Sequence, residues 1–275
     1  MFIDPFQNNW LDVLAQRAAG LPDHVHLYLL IDGVFIPGMY RTRPFADSRA
    51  GPVHLLFSSL PGCTDAVKDA SPFLVRIRAA GGGLVDRLPS RLLPCSGLPM
   101  VSAIATTESL DELGQRLAAW CVIGNDGQRF NFRYPDTRRL PGMYRALKTE
   151  QRAQFCGPMR FWSYIGRDGA WADLDVAGQQ SDIASDPVLE DEQFGVMVDE
   201  SAADEVLFKL AYGGAELEGL HSVLHATVSS ALITARTAGL EDGRHAEWCG
   251  YIISNGRTHD SAAGLAQWQA STADA

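Results

Sequence analysis

One run of residues, Val25-His26-Leu27-Tyr28-Leu29-Leu30-Ile31, limits what this chain can become. A strand with one wet face alternates apolar and polar residues. This run is nearly all apolar and of strand length, so both of its faces must be covered. It therefore predicts a strand inside a mixed or parallel sheet with layers on either side. A chain of 275 residues has ample material for such a core. Further strands are predicted at Val53–Phe57, Phe73–Ile77 and Met100–Ala105. Trp10, Leu11, Leu14 and Ala18 recur at helical spacing and predict a helix that Gly20 ends. Ser109-Leu110-Asp111-Glu112 has the form of a capping box, with Leu110, Leu113, Leu117 and Trp120 as the buried stripe of the helix it starts. Strands and helices in this order predict an α/β (α+β) architecture, a mixed sheet with flanking helices.

The stretch Gly127–Trp162 carries the most chemistry. It follows an Asn125-Asp126-Gly127 tight-turn signature. Phe130, Phe132 and Tyr134 alternate with Arg129, Asn131 and Arg133, which predicts a strand with one buried face. Pro135 lacks an N–H and should end it. A helix is expected from Pro141 to about Gln154. Gly157-Pro158 breaks it and leads into Phe161, Trp162 and Tyr164.

Beyond residue 176 the pattern changes. Residues 177–187 are polar, with Gly178, Ser181, Ser185 and Pro187, and read as a linker. Asp186-Pro187 is a helix start, and Val206, Leu207 and Leu210 suit a second short helix. Leu217, Leu220, Leu224, Val228, Ala231 and Ala235 stripe a long helix stopped by Gly239. Trp248–Ile253 is one more helix or a short apolar segment, and the Ala-rich tail from Ser261 is expected to be partly disordered. The expected division is a residue 1–176 α/β domain and a residue 177–275 helical lobe.

Charge follows the same division. Residues 1–175 hold 19 Lys and Arg against 17 Asp and Glu, a net of +2; residues 176–275 hold 4 against 16, a net of −12. Such a surface solubilises, or it meets a basic partner, with Glu190, Asp191 and Glu192 the candidate partner-binding residues. A nucleic-acid backbone needs clustered Lys and Arg, so nucleic acid is not an expected ligand. No apolar run approaches the ~20 residues of a membrane span. Met1–Trp10 holds Asp4 and no basic residue, unlike a secretory signal. Five widely spaced cysteines argue against a disulfide framework or zinc site, and a cytoplasmic setting is expected.

Several residues invite a catalytic reading. Asp32 ends the first strand, where α/β enzymes often keep a carboxylate. Phosphotransferases of that kind need a second Asp two residues on, where Val34 stands, so Asp32 is read as a cap accepting backbone N–H groups. Arg133 is expected to bond carbonyls or a carboxylate at the sheet edge, and Asp136 to cap the helix leading into Pro141. His221 and His225 stand one helical turn apart but lack the Glu and third ligand of a zinc enzyme; no metal is expected. His24 and His26 also lack ligand partners. No Gly-x-Ser-x-Gly elbow is present. Cys63 is read as a bystander thiol, and no catalytic residue or cofactor is assigned.

Arg133-Tyr134-Pro135-Asp136-Thr137-Arg138, then Phe155-Cys156-Gly157-Pro158 and Trp162, resemble the signature of the type VI secretion effector adaptors, or effector chaperones. That family reads Arg-aromatic-aromatic-Asp-Pro-Arg and then Phe-Phe-Gly-Pro/Ala. Here Pro135-Asp136 is the swapped order and Cys156 replaces a Phe. Leu27–Gly33 is a second match and Ser71–Val75 a third. The resemblance implies a non-enzymatic adaptor that binds a toxic secreted effector protein and helps load it onto a VgrG-type spike protein. It marks Asp32, Arg133, Tyr134, Asp136, Gly157, Pro158 and Trp162 as signature residues with structural or interface roles. The alternative is a hydrolase whose site is assembled from distant residues.

Overall fold

A computed structural model describes residues 3–46, 52–85 and 91–273 of the chain. The described residues form two compact units, 1–197 and 198–275. The first opens with helix α1 (Trp10–Ala19), strand β1 (His26–Ile31), a single helical turn α2 (Arg43–Ala46), β2 (Val53–Leu55), α3 (Asp65–Asp69) and β3 (Phe73–Arg78). It continues with β4 (Val101–Thr106), α4 (Leu110–Ala119), the hairpin β5 (Val122–Asn125) and β6 (Gln128–Asn131), α5 (Leu140–Ala146), α6 (Thr149–Cys156), β7 (Met159–Ile165) and β8 (Trp171–Leu174).

Six of these strands make one sheet in the order β2-β3-β1-β4-β7-β8. β1 lies near its middle, with Leu29 opposite Val75 on one side and Ala103 on the other. The alternation of a strand sends neighbouring side chains to opposite faces. Leu27, Leu29 and Ile31 join a core with Trp10 and Leu14 of α1. Tyr28 and Leu30 join a second core with Leu113 and Leu117 of α4 and the aromatic residues Phe132, Tyr134, Phe155 and Trp162. Both faces of the run are thus covered, as its composition requires. The expected α+β class holds, and every described pairing in the large sheet is antiparallel.

Local signals account for much of the chain. The Ser109 hydroxyl accepts from the Glu112 amide at 3.3 Å, and the Glu112 carboxylate accepts from the Ser109 amide at 2.8 Å, completing the capping box of α4. Asp126 and Gly127 both have positive φ and turn β5 into β6. The hairpin differs from expectation in its length. β6 ends at Asn131, and Phe130 is 36% exposed. Phe132 and Tyr134 are buried after the strand has ended, because the Tyr134 amide turns back to the Phe132 carbonyl at 2.9 Å and tips the chain into the second core. The helix expected over 141–154 is two helices, α5 and α6, separated at Leu147-Lys148.

The segment after β8 also departs from the linker reading. The Gly124 amide donates to Pro187 O at 2.8 Å and the Leu189 amide to Gly124 O at 2.9 Å, a short parallel bridge beside β5. Pro187 and Leu189 are held extended there, so the next helix, α7 (Asp191–Tyr212), starts four residues after Pro187. It is one helix of 22 residues where two short ones were expected. No proline interrupts it, and Phe194 and Met197 pack against the second core. The compact units therefore divide between residues 197 and 198, within α7, and not at the expected 176/177.

The remainder of α7, with α8 (His221–Thr237), α9 (His245–Asn255) and α10 (Ala262–Ala273), forms the second unit. Its core joins Val206, Val228, Ala231, Leu232, Trp248, Ile252, Leu265 and Trp268. The tail expected to be partly disordered is helical over α10. Leu265 is 1% and Trp268 5% exposed, and Trp268 lies 5.5 Å from Trp248. Burial of two large side chains offsets the entropy of ordering this terminus. No described helix is long and apolar enough to cross a membrane.

Candidate functional site

Three of the signature residues, Asp32, Arg133 and Asp136, meet at the C-terminal end of β1, whereas Gly157 and Pro158 follow α6 and Trp162 lies on β7. Asp32 is 1% exposed. Its Oδ1 accepts from the Val34 amide at 3.2 Å, and its Oδ2 accepts from Arg133 Nη2 at 3.1 Å. The first bond is the local cap that the Asp-Gly turn provides. The second joins residues 101 positions apart. Burial raises the Asp32 pKa above the usual carboxylate range; Arg133 and the Val34 amide pull it down, and Asp136 pushes it up. Gly33 allows the turn to pass against the neighbouring chain, since a Cβ there would meet Ser71 O at 2.3 Å.

Asp136 is buried at the start of the next turn. Its Oδ1 accepts from the Arg138 amide and Nε, both at 3.1 Å, and its Oδ2 accepts from Arg138 Nη2 at 2.8 Å. Its carbonyl accepts from the amides of Arg139 and Leu140. Asp136 thus shapes the turn before α5, while Arg139 occupies the cap position itself. The Arg133 and Arg138 guanidinium groups stand 6.0 and 5.9 Å from the Phe35 ring, so both signature arginines share one aromatic surface.

Tyr134 supports this cluster from below. Its hydroxyl donates to Leu117 O at 2.8 Å, and its ring meets Phe155 and Trp162 edge-on at 5.0 and 6.0 Å. Burial pushes its hydroxyl pKa well above the ordinary value. Trp162 is fully buried on β7, opposite Ile104 of β4. Gly157 ends α6 with φ 54° and ψ −139°. A Cβ on it would stand 2.5 Å from Arg116 Cζ. Gly157 is therefore required twice, for its backbone angle and for the guanidinium beside it.

Arg116 is the residue that the sequence reading missed. It is 3% exposed although charged. Nε and Nη2 reach Glu108 Oε1 at 2.9 and 2.7 Å, Nη1 donates to Gln154 O at 2.8 Å, and Nη2 donates to Ser181 O at 3.0 Å. One side chain ties α4 to the last turn of α6 and to the segment after β8. The one available signal was its place between Leu113 and Leu117 on the apolar side of α4.

A narrow crevice beside this cluster, lined by Asp32, Phe57, Cys121, Asn131 and Arg133, has room for only about 10 Å³. Ligand pockets usually occupy ~300–1,000 Å³. Both Asp32 oxygens are engaged, and burial pushes the Cys121 thiol up to about 12. Neither group is poised as a nucleophile. The geometry joins a sheet, two helices and a loop, and its chemistry is that of a structural clasp.

The other candidates lie apart from the clasp's bonds. Glu190 pairs with Lys148, and Asp191 Oδ1 accepts from Asn125 Nδ2 at 2.9 Å, so two of the three acidic candidates hold the start of α7 to their own unit. Glu192 is exposed in its first turn. His26 Nδ1 accepts from the Ala80 amide at 3.1 Å, and burial, with Arg76 and Arg78, lowers its pKa. His221 and His225 lie in the first two turns of α8, and His225 Nδ1 is 3.4 Å from Ser229 Oγ. Among the described residues, no group of three or more His, Cys, Asp or Glu is arranged to hold a metal.

No curated protein and no solved structure matches the chain. Residues 27–154 match the family model described as a domain of unknown function, DUF4123, a family associated with type VI secretion effectors.

Proposed function

We propose that the chain is a non-enzymatic adaptor that binds a toxic effector in the cytoplasm and helps load it onto a VgrG-type spike protein of a type VI secretion system. The observation that carries this reading is the family match over residues 27–154, which contains Asp32, Arg133, Tyr134 and Asp136. Their bonds support it further. They direct their hydrogen bonds to one another, to Arg138 and to the backbone, as expected of residues that make a rigid platform for protein recognition. In this reading the α/β unit is the platform and the helical unit supplies specificity. The test is co-expression with candidate effector and spike proteins from the same genome. A stable complex with the effector, and loss of that effector's delivery when the adaptor gene is deleted, are expected. Undiminished delivery without the gene, or catalytic turnover by the purified chain, would overturn it.

A further inference from the structure

The second unit presents an aromatic pair to solvent. Phe208 is 71% and Tyr212 86% exposed, among the described residues. They stand one helical turn apart on α7 with ring centroids 6.2 Å apart and planes inclined by 19°. The other side of the same helix buries Ala203 and Val206 in the unit's core. The pair is thus not a misplaced part of the core stripe. It lies on the outward face, where large aromatic side chains are costly to hydrate and are the usual anchors of protein interfaces.

Charge selects the occupant. Asp204 and Glu205 lie one turn before Phe208, and Glu216 and Glu218 follow Tyr212 in the turn to α8. Lys209 is the one cation of the sequence between Asp199 and Glu218. A second copy of the chain on this face would set acid against acid. A nucleic-acid backbone would meet the wrong sign. A basic segment with an apolar stripe matches both features, since its stripe would cover the rings and its Lys or Arg side chains would meet the acidic rim.

We propose that the Phe208–Tyr212 face of α7 is the docking site for a basic amphipathic segment of a partner protein; as a statement about the effector, this rests on the adaptor reading above. The rings supply affinity, and the acidic rim supplies the association rate and selects against acidic or self partners. The full-length chain is to be titrated with a labelled Leu/Lys amphipathic helical peptide and its Leu/Glu counterpart by fluorescence anisotropy. The Lys peptide alone should bind. F208S/Y212S should weaken it by about tenfold or more. E205Q/E216Q/E218Q should slow association and flatten its salt dependence. V223S/I233S, which alters exposed apolar residues of α8, should leave binding unchanged. Equal binding of the two peptides, or indifference to F208S/Y212S, would overturn the proposal. A concentration-dependent dimer abolished by F208S/Y212S would give the face to a second copy and also overturn it. If the co-expressed effector is captured equally by wild type and F208S/Y212S, the docking site falls and the adaptor reading stands. If no effector is captured but the Lys peptide depends on both rings, the adaptor reading falls and the docking site stands.

Discussion

Gly157 and two carboxylates show how much single residues matter in the sheet unit. Gly157→Ala puts a Cβ into a left-handed backbone position and into the Arg116 guanidinium. Strain of that kind and displacement of a buried charged group should together cost about 3 kcal/mol or more. Denaturant melts would measure it, and a loss below about 1 kcal/mol would contradict the crowding argument. Asp32 and Asp173 should respond to pH with opposite signs. The Asp32 pKa is raised by burial, so its favourable contribution is full below the unfolded value of about 3.8 and is lost as pH rises through the folded value. Asp32→Asn should therefore gain stability relative to wild type as pH rises across that window. At Asp173 burial opposes ionisation, but hydrogen bonds from Arg17 and Ser163 and the Arg17 charge prevail and lower the pKa. Its contribution is present above the unfolded value and lost as pH falls through the folded one, so Asp173→Asn should flatten the acid limb. Urea melts across the acid range would separate the two. Parallel profiles would show that neither environment acts as described.

At the scale of elements, Arg116 joins α4, α6 and the segment after β8. Arg116→Met would leave Glu108 without its buried partner and free the carbonyls of Gln154 and Ser181. Breaking a buried pair in this way costs about 3–5 kcal/mol. Adding Glu108→Leu should recover part of the loss, because the orphaned carboxylate is gone, but not all of it, because the carbonyls remain unpaired. A double-mutant cycle reads the difference. Full recovery would reduce Arg116 to a simple ion pair. In the helical unit, α10 is held by Trp268, which contacts Trp248 and lies 4.5 Å from the Arg244 guanidinium. Trp268→Ala should cost about 3–5 kcal/mol. An unchanged melt would mean that α10 adds nothing to the unit.

For the whole molecule, the separate cores of residues 1–197 and 198–275 predict two calorimetric transitions. Gly157→Ala should shift one of them and Trp268→Ala the other. A single transition moved equally by both variants would show that the units unfold as one. Charge is divided unequally between them, a net of −3 over residues 1–197 and −7 over residues 198–275, so salt should affect partner association more than the sheet unit's melt.

Signals confined to a few neighbouring residues were legible in the sequence alone. The Ser109–Glu112 capping box, the Asp126-Gly127 turn and the Asp32 bond to the Val34 amide each need a few consecutive residues, and each formed as the residue types dictate. The apolar run of β1 likewise announced a strand covered on both faces, because hydrophobic burial depends on composition and period. Other features required chain segments far apart to meet. The antiparallel order of the sheet, the Arg133–Asp32 pair, the end of β6 at Asn131 and the helical tail fall in this class. So does the requirement for Gly157, which can be read as a helix stop from sequence but whose crowding comes from Arg116 on another helix. A local pattern states what a residue needs, a partner or a dry face. Only the packed structure decides which distant residue provides it.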